Sequence, residues 1–179
     1  MSELDSTSVA GAAQASSPRA GGSLARVRSF LEVHGLAGGL VEFGERSTKT
    51  CALAAEAVGS EVGQIVKSLV FTADGTPVLA LVAGDRRGDT AAIAELLGAS
   101  SVRFADADTV RSATGYAIGG VSPYDLPPDL VVLVDDSLLR FDVLYTAAGT
   151  PSSMVRVDRV ALFGLIGGRL ARIAQEAAS

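Results

Sequence analysis

The chain contains few of the residue types that most catalytic sites use. Among its 179 residues there is one cysteine, Cys51, one histidine, His34, and no tryptophan. A single cysteine excludes an internal disulfide and a cysteine-rich metal site. There is no His-Glu-x-x-His zinc motif, no paired-cysteine ligand set and no Gly-x-Ser-x-Gly turn of serine hydrolases. We therefore expect a site that holds no metal and needs no cofactor.

Basic excess and long apolar runs are also missing. The net charge is −5, which disfavours a protein that binds DNA or RNA mainly by bulk electrostatics, although a small pocket could still take a terminal piece of RNA. No apolar run approaches the ~18 residues needed to cross a bilayer. The N-terminal residues do not resemble a secretory signal, because no basic segment precedes an apolar block there. We expect a cytoplasmic protein without a membrane or DNA partner.

The remaining composition is that of a globular protein, with 48% hydrophobic and 20% charged residues. Residues 1–22 are rich in Ser, Ala and Gly and predict a disordered tail. From Ser23 onward, apolar residues recur at regular spacing. We therefore expect a single domain over residues 23–179.

Helix and strand signals alternate along this domain. A helix is expected from Ser23, its predicted N-cap, to Gly35, and a second over Lys49–Val58 with Ser47 or Thr48 as N-cap. An Asp-Gly turn between two apolar runs predicts a hairpin of residues 64–72 and 78–83. Further helices are expected after Asp89, after Asp106 or Asp108, and after Asp158, and a helical tail is expected over 170–178. Strands are expected near 40–43, 101–104, 130–134, 141–145 and 154–157. This order predicts a mixed α/β (α+β) fold around one sheet.

One strand of the hairpin carries an unusual cation. Gln64–Phe71 reads as a β-strand, so Lys67 shares a face with the apolar Ile65, Leu69 and Phe71. Lys67 either extends its stem along apolar surface with its ammonium in water, or holds an anion at the floor of a pocket. The strand by itself leaves both interpretations open.

A second unusual segment is Tyr116–Pro123, in which Gly119 and Gly120 are adjacent within an apolar stretch. Such a pair indicates a sharp turn or a close approach to the backbone. It matches neither a nucleotide-binding Walker loop nor a dinucleotide fingerprint. With Lys67 and the small-residue corner Ala147–Gly149, it could form a pocket in which backbone amides orient a substrate and lysine neutralises an anion.

Three segments carry a resemblance to one family. Gln-Ile-Val-Lys-Ser-Leu-Val-Phe at 64–71, Thr-Gly-Tyr-Ala-Ile-Gly-Gly-Val-Ser-Pro at 114–123 and Leu-Val-Asp-Asp-Ser-Leu-Leu at 133–139 fall in the order and spacing of the YbaK / prolyl-tRNA synthetase-associated domain family. The sequence resembles that family over about residues 23–174. The resemblance implies a single mixed, mostly antiparallel sheet flanked by helices, with a pocket over one face.

The resemblance also implies an activity. Family members hydrolyse the ester of a wrong amino acid on tRNA, often with help from the substrate's own hydroxyl or thiol. Lys67 would bind the phosphate backbone at the tRNA acceptor end, and Gly119 and Gly120 would position the ester and water. The residues expected to bind substrate are Ser68, Phe71, Ser122, Ala147 and Gly149. A prolyl-tRNA synthetase is the expected protein partner.

Two departures from the family leave alternatives open. Ala147 stands where some members carry Ser, and Thr150–Ser153 replaces a basic segment found in some relatives. Both positions bear on amino-acid selectivity. Besides a trans-editing aminoacyl-tRNA deacylase, two other functions are compatible: a non-catalytic module that only holds an acceptor end or a nucleotide-like ligand, and a hydrolase of another small ester or amide.

Overall fold

Most helices begin at a side chain that accepts their first free backbone N–H groups. The structure, a computed structural model, describes residues 22–44 and 48–177. Asp89, Asp106 and Asp158 are N-caps, as expected. The five helices in the described residues are α1 (Ser23–Val33), α2 (Cys51–Val58), α3 (Thr90–Leu97), α4 (Ala107–Thr114) and α5 (Arg159–Ile166).

Two predicted N-caps differ from the structure. Gly22, not Ser23, is the N-cap of α1. Thr50 is the N-cap of α2, since its side chain accepts from the Leu53 amide. Thr48 is bonded elsewhere: its Oγ1 and its backbone N–H both donate to the carbonyl of Pro151, at 2.7 and 2.8 Å. The alternative cap Ser47, like the tail expected before Gly22, lies outside the described residues.

Ten strands form three sheets in the described part of the chain. The five-stranded sheet has the order β5-β2-β3-β6-β9, a three-stranded sheet has the order β1-β8-β7, and β10 pairs with β4. The strands are β1 (Leu40–Glu42), β2 (Val66–Ala73), β3 (Thr76–Ala83), β4 (Arg86–Gly88), β5 (Val102–Phe104), β6 (Val131–Asp135), β7 (Val143–Ala147), β8 (Ser153–Asp158), β9 (Arg169–Ala171) and β10 (Ala174–Glu176).

The predicted fold class is confirmed, but the single sheet is divided. Only β3–β6 and β6–β9 pair in parallel, and the other ladders are antiparallel. The hairpin of β2 and β3 is present, with a tighter turn than expected because Ala73 already pairs with Thr76. An isolated parallel bridge between Ile65 and Tyr145 joins the edge of the five-stranded sheet to β7.

The expected helical tail over 170–178 is wrong. Its described part contains β9 and β10, separated by Arg172 and Ile173. The buried carboxylate of Asp135 accepts from the Ile173 amide at 2.8 Å, and the Ile173 side chain is fully buried. Pairing with β6 and β4 thus replaces the local helical preference of this alanine-containing segment.

Three apolar clusters cover different faces of the sheets. The largest joins α1 to the even-numbered side of β2 and includes Val66 and Val70. A second contains Phe71 and Ile93 and lies on the other side of β2. The third, smaller cluster packs α2 over Ile65 and Tyr145, where the two sheets meet. The candidate site lies beside this third cluster.

Candidate active site

Lys67 projects from the side of β2 that α2 covers. Side chains alternate along a strand, so Lys67 shares a face with Ile65 of the α2 cluster. Lys67 is partly buried, and its Nζ donates to the backbone carbonyl of Arg86. Its ammonium thus lies along β4 rather than fully in water, and within the described residues two of its three donors remain for another acceptor.

The bridge between the sheets relates the strand of Ala147 to the strand of Lys67. Ile65 faces Tyr145 in parallel register, so two residues further along each strand lead to Lys67 on β2 and Ala147 on β7. Both side chains extend toward α2 by the same alternation. The lysine and the start of the small-residue corner therefore share one face at the junction of the sheets.

The glycine pair lies directly against the end of this corner. Gly120 donates from its amide to the Ala117 carbonyl at 3.0 Å, and Gly119, with φ +87°, takes the positive-φ position of this turn. A Cβ added at Gly120 would lie 2.8 Å from the carbonyl oxygen of Gly149. Only a residue without a side chain fits there, whereas Gly119 is exposed and has open space around it.

Ser68 points to the opposite face of β2, toward the largest cluster. Its Oγ is buried and has no hydrogen-bond partner within the described residues. A buried hydroxyl without a partner is costly, so Ser68 offers a donor and an acceptor close to Lys67 but not on its face.

Ser122 and Phe71 are core residues. Both are fully buried. Ser122 Oγ accepts from the Tyr124 amide at 3.4 Å, and the ring of Phe71 packs against Phe104 at 4.6 Å between centroids. In this conformation both side chains are enclosed in the core; the contact that the structure prints among the predicted site residues is that of Gly120 with Gly149.

The segment before α2 contributes contacts that the sequence did not indicate. Phe43 donates from its amide to the Ser152 carbonyl at 2.9 Å, and Thr48 donates twice to Pro151. These bonds tie the segment to the loop between β7 and β8. No local sequence signal reveals them, because the partners are about a hundred residues apart.

Neither Cys51 nor His34 has the setting of a catalytic base. Burial raises the pKa of the Cys51 thiol, although the nearby charge of Lys67 acts in the opposite direction. His34 lies at the end of α1, where its Nδ1 is 2.8 Å from the Phe30 carbonyl and its ring stacks on Phe30. Within residues 22–44 and 48–177, no three His, Cys, Asp or Glu residues form a group suited to a metal ion. No helix in these ranges has the length and apolar character to span a membrane.

The fold and the site together define a class of protein. It is a mixed α/β domain in which β2 carries Lys67 and a glycine turn packs against Gly149. The family model for the aminoacyl-tRNA editing domain matches residues 45–164. YwhH of Bacillus subtilis is 34% identical over 136 residues, which are 75% of this chain and 85% of YwhH. The chain belongs to the aminoacyl-tRNA editing domain family.

Two further comparisons agree with this family. A proline–tRNA ligase of Maridesulfovibrio salexigens is 38% identical over 87 residues, which are 49% of this chain but only 15% of the ligase. A solved structure described as a candidate trans-editing enzyme for prolyl tRNA synthetase superposes with a TM-score of 0.77 at 38% identity, covering 86% of this chain and 97% of that one. The predicted resemblance is thus confirmed.

Proposed function

We propose that this protein is a trans-editing hydrolase, an aminoacyl-tRNA deacylase that acts on a mischarged tRNA of the tRNA(Pro) type. The observation that supports the proposal is the close approach of Gly120 to Gly149, just after the strand β7 that is bridged to the Lys67 strand through Tyr145 and Ile65. Membership of the editing family supports the reaction class. The proline–tRNA ligase and trans-editing relatives support the choice of tRNA.

Lys67 is the proposed anchor for the acceptor end. A terminal phosphate or the developing negative charge of an ester under attack would find the ammonium partly shielded from water, where an ion pair is stronger than at an open surface. The existing bond to the Arg86 carbonyl fixes the side chain before substrate arrives. A fixed cation loses less entropy on binding than a free one.

The glycine turn and the corner are the proposed walls around the ester. Gly120 already uses its N–H within the turn, so the exposed peptide of Gly119 is the backbone group offered to substrate. Ala147 and Gly149 are small residues that would leave room beside it. Water would attack the ester carbonyl carbon, the bond to the ribose oxygen would break, and that oxygen would take up the proton that the water gives up, which releases amino acid and tRNA.

No side chain of the described site is suited to remove the proton from water at neutral pH. The pKa of Cys51 is raised, and His34 lies at the far end of α1. The free amine of the bound aminoacyl group, or its thiolate where the group carries a thiol, is therefore the proposed proton acceptor, and no metal or cofactor takes part. A prolyl-tRNA synthetase would present the tRNA, and the reaction would take place in the cytoplasm.

A binding module that holds an acceptor end without turnover is the second candidate. The observation that favours it is the absence of a general base among the described site residues. Such a module would bind tRNA with the same lysine and release at most one equivalent of amino acid.

The test compares two variants that each lose one positive charge. Lys67→Ala removes the proposed anchor, and Arg103→Ala removes an exposed charge from β5, at the other end of β2. We expect hydrolysis of mischarged tRNA(Pro) to fall roughly 100-fold or more in Lys67→Ala, the size of effect typical for a lost electrostatic contact in a transition state. Arg103→Ala should stay close to the parent protein.

Thermal unfolding of both variants shows whether the fold is retained. Full activity of a folded Lys67→Ala protein would remove the lysine from the mechanism. Equal losses of activity in both variants would mean that Lys67 acts only through general electrostatic attraction of tRNA.

A further inference from the structure

We infer that Arg26 of α1 is a positioning residue that holds the Gly119–Gly120 turn against the Gly149 corner. Arg26 does not face the proposed substrate, and its effect would pass through the turn. The catalytic part of this inference depends on the proposed function, whereas the part concerning the position of the turn does not.

Arg26 bonds to both ends of the segment that contains the turn. Its Nη1 donates to the Thr114 carbonyl at 3.2 Å, where α4 ends and the segment begins. Its Nε donates to Asp125 Oδ2 at 2.8 Å, and its Nη2 donates to the carbonyl of Asp125, where the segment ends. One side chain therefore fixes the entry and the exit of a ten-residue loop, which reduces the conformations open to the turn.

The guanidinium is held in place by its surroundings. It lies over the ring of Tyr116, 4.4 Å from the centroid. Arg26 and Asp125 have side-chain exposures of only 20% and 22%, so their ion pair is shielded from much of the solvent. Asp125 has φ +51°, a conformation that non-glycine residues seldom adopt, and both bonds to Arg26 help to keep it there.

Buried hydroxyl groups connect the clamped segment to β7. Tyr116 donates from its hydroxyl to the Tyr124 carbonyl at 2.7 Å, and Thr146 donates to the Tyr124 hydroxyl at 3.1 Å. Burial raises the pKa of Tyr116 to about 12, so its hydroxyl stays protonated at neutral pH. The segment held by Arg26 is thus bonded to the strand that carries Ala147.

The first turn of α1 contacts the corner as well as the loop. A Cβ at Gly149 would lie 2.8 Å from backbone atoms of Ser23, so the corner packs directly on the start of the helix. Ser23 and Arg26 are three residues apart and lie on one side of α1. One helical turn therefore contacts both the Gly149 corner and the two ends of the loop that contains Gly120. This helix precedes residues 45–164, which the family model matches.

Arginine is required because three different acceptors are bonded at once. Its planar fork directs Nε, Nη1 and Nη2 to separate oxygens, while a lysine ammonium would reach only part of this set. Arg26→Lys should therefore recover only part of the effect of Arg26→Ala. The matched control is Arg28→Ala on the same helix, since Arg28 forms an exposed ion pair with Glu42.

The first measurement is native-state hydrogen exchange of the amides in residues 116–122. We expect Arg26→Ala to speed exchange at Gly120 at least roughly tenfold, since fixing a loop normally suppresses local opening, while amides of the β2–β3 hairpin and the Arg28→Ala protein stay unchanged. Unchanged exchange at the turn in a folded Arg26→Ala protein would overturn the inference. This result is independent of any enzyme activity.

The second measurement separates kcat from KM for the deacylation. A displaced turn should lower kcat roughly 10- to 100-fold with KM within about threefold, because small misplacements at a reacting centre are costly while Lys67 still binds tRNA. A rise in KM alone would mean that Arg26 contacts tRNA and would refute positioning.

Asp125→Asn is the second variant if Arg26→Ala does not fold. It retains the backbone carbonyl that accepts from Arg26, and asparagine tolerates positive φ, but the ion pair is lost. It should show a smaller change of the same kind. An inactive parent protein would end the proposed function, but not the exchange test.

Discussion

A methyl group added at Gly120 would test how closely the turn approaches the corner. In Gly120→Ala the new Cβ would lie 2.8 Å from the Gly149 oxygen, 2.9 Å from its carbonyl carbon and 3.2 Å from the Thr150 nitrogen. All three are backbone atoms that cannot rotate away. The two segments would have to separate by about half an ångström or more, and overpacking of this kind costs about 1–3 kcal/mol.

The matched control is Gly119→Ala, one residue earlier. Its Cβ would meet nothing within 4 Å, but the backbone has φ +87°, so it carries strain of about 1–2 kcal/mol without a collision. Urea unfolding should show destabilisation in both variants. Only Gly120→Ala should also accelerate hydrogen exchange in the corner at residues 147–150, because only there are the two segments pushed apart.

Deacylation provides the functional half of this prediction. We expect Gly120→Ala to lose roughly 100-fold in kcat/KM, as expected for walls displaced around a reacting ester, and Gly119→Ala to lose clearly less. A Gly120→Ala protein with parental stability, corner exchange and activity would refute the close contact and the reasoning built on it.

Two further predictions concern charges near Lys67. Burial raises the pKa of Cys51, and the Lys67 ammonium offsets part of this rise. Lys67→Ala should therefore move the pH midpoint of Cys51 alkylation by iodoacetamide further upward, and an unchanged midpoint would place the two groups apart. Hydrogen bonds from Arg140 lower the pKa of Asp85. A carboxyl whose pKa is lower in the folded than in the unfolded protein stabilises the fold at pH values above its unfolded-state pKa. This stabilisation is lost as the pH falls through the folded-state pKa. Arg140→Gln should therefore cost about 0.5–1 kcal/mol in urea unfolding at pH 7, with the difference shrinking below about pH 4; an equal cost at pH 7 and pH 3 would contradict an ionic origin.

Local signals predicted many helix starts and the central hairpin. Asp89, Asp106 and Asp158 cap helices because a carboxylate placed just before a helix accepts its first amides wherever the chain goes next. Asp74-Gly75 predicted the hairpin for a similar reason, since both residues adopt positive φ in the turn. Such features depend on neighbours in sequence.

Features that depend on distant partners could not be predicted in this way. Residues 170–177 prefer a helix locally but pair with β6 and β4, which no local pattern reveals. Arg26 had no visible role in the sequence because its partner Asp125 lies 99 residues away. The resemblance indicated Lys67 and the two glycines, while the placement of Ser122 and Phe71 in the core needed the packed structure.

The most direct test of the proposed activity counts amino acid released per protein molecule. The purified protein is incubated with tRNA(Pro) charged with a panel of wrong amino acids, with correctly charged tRNA(Pro) and with small amino-acid esters, each in large excess. We predict release of many equivalents from at least one mischarged tRNA, with correctly charged tRNA(Pro) spared. Release of at most one equivalent from every tRNA, or turnover of the small esters alone, would contradict an aminoacyl-tRNA deacylase.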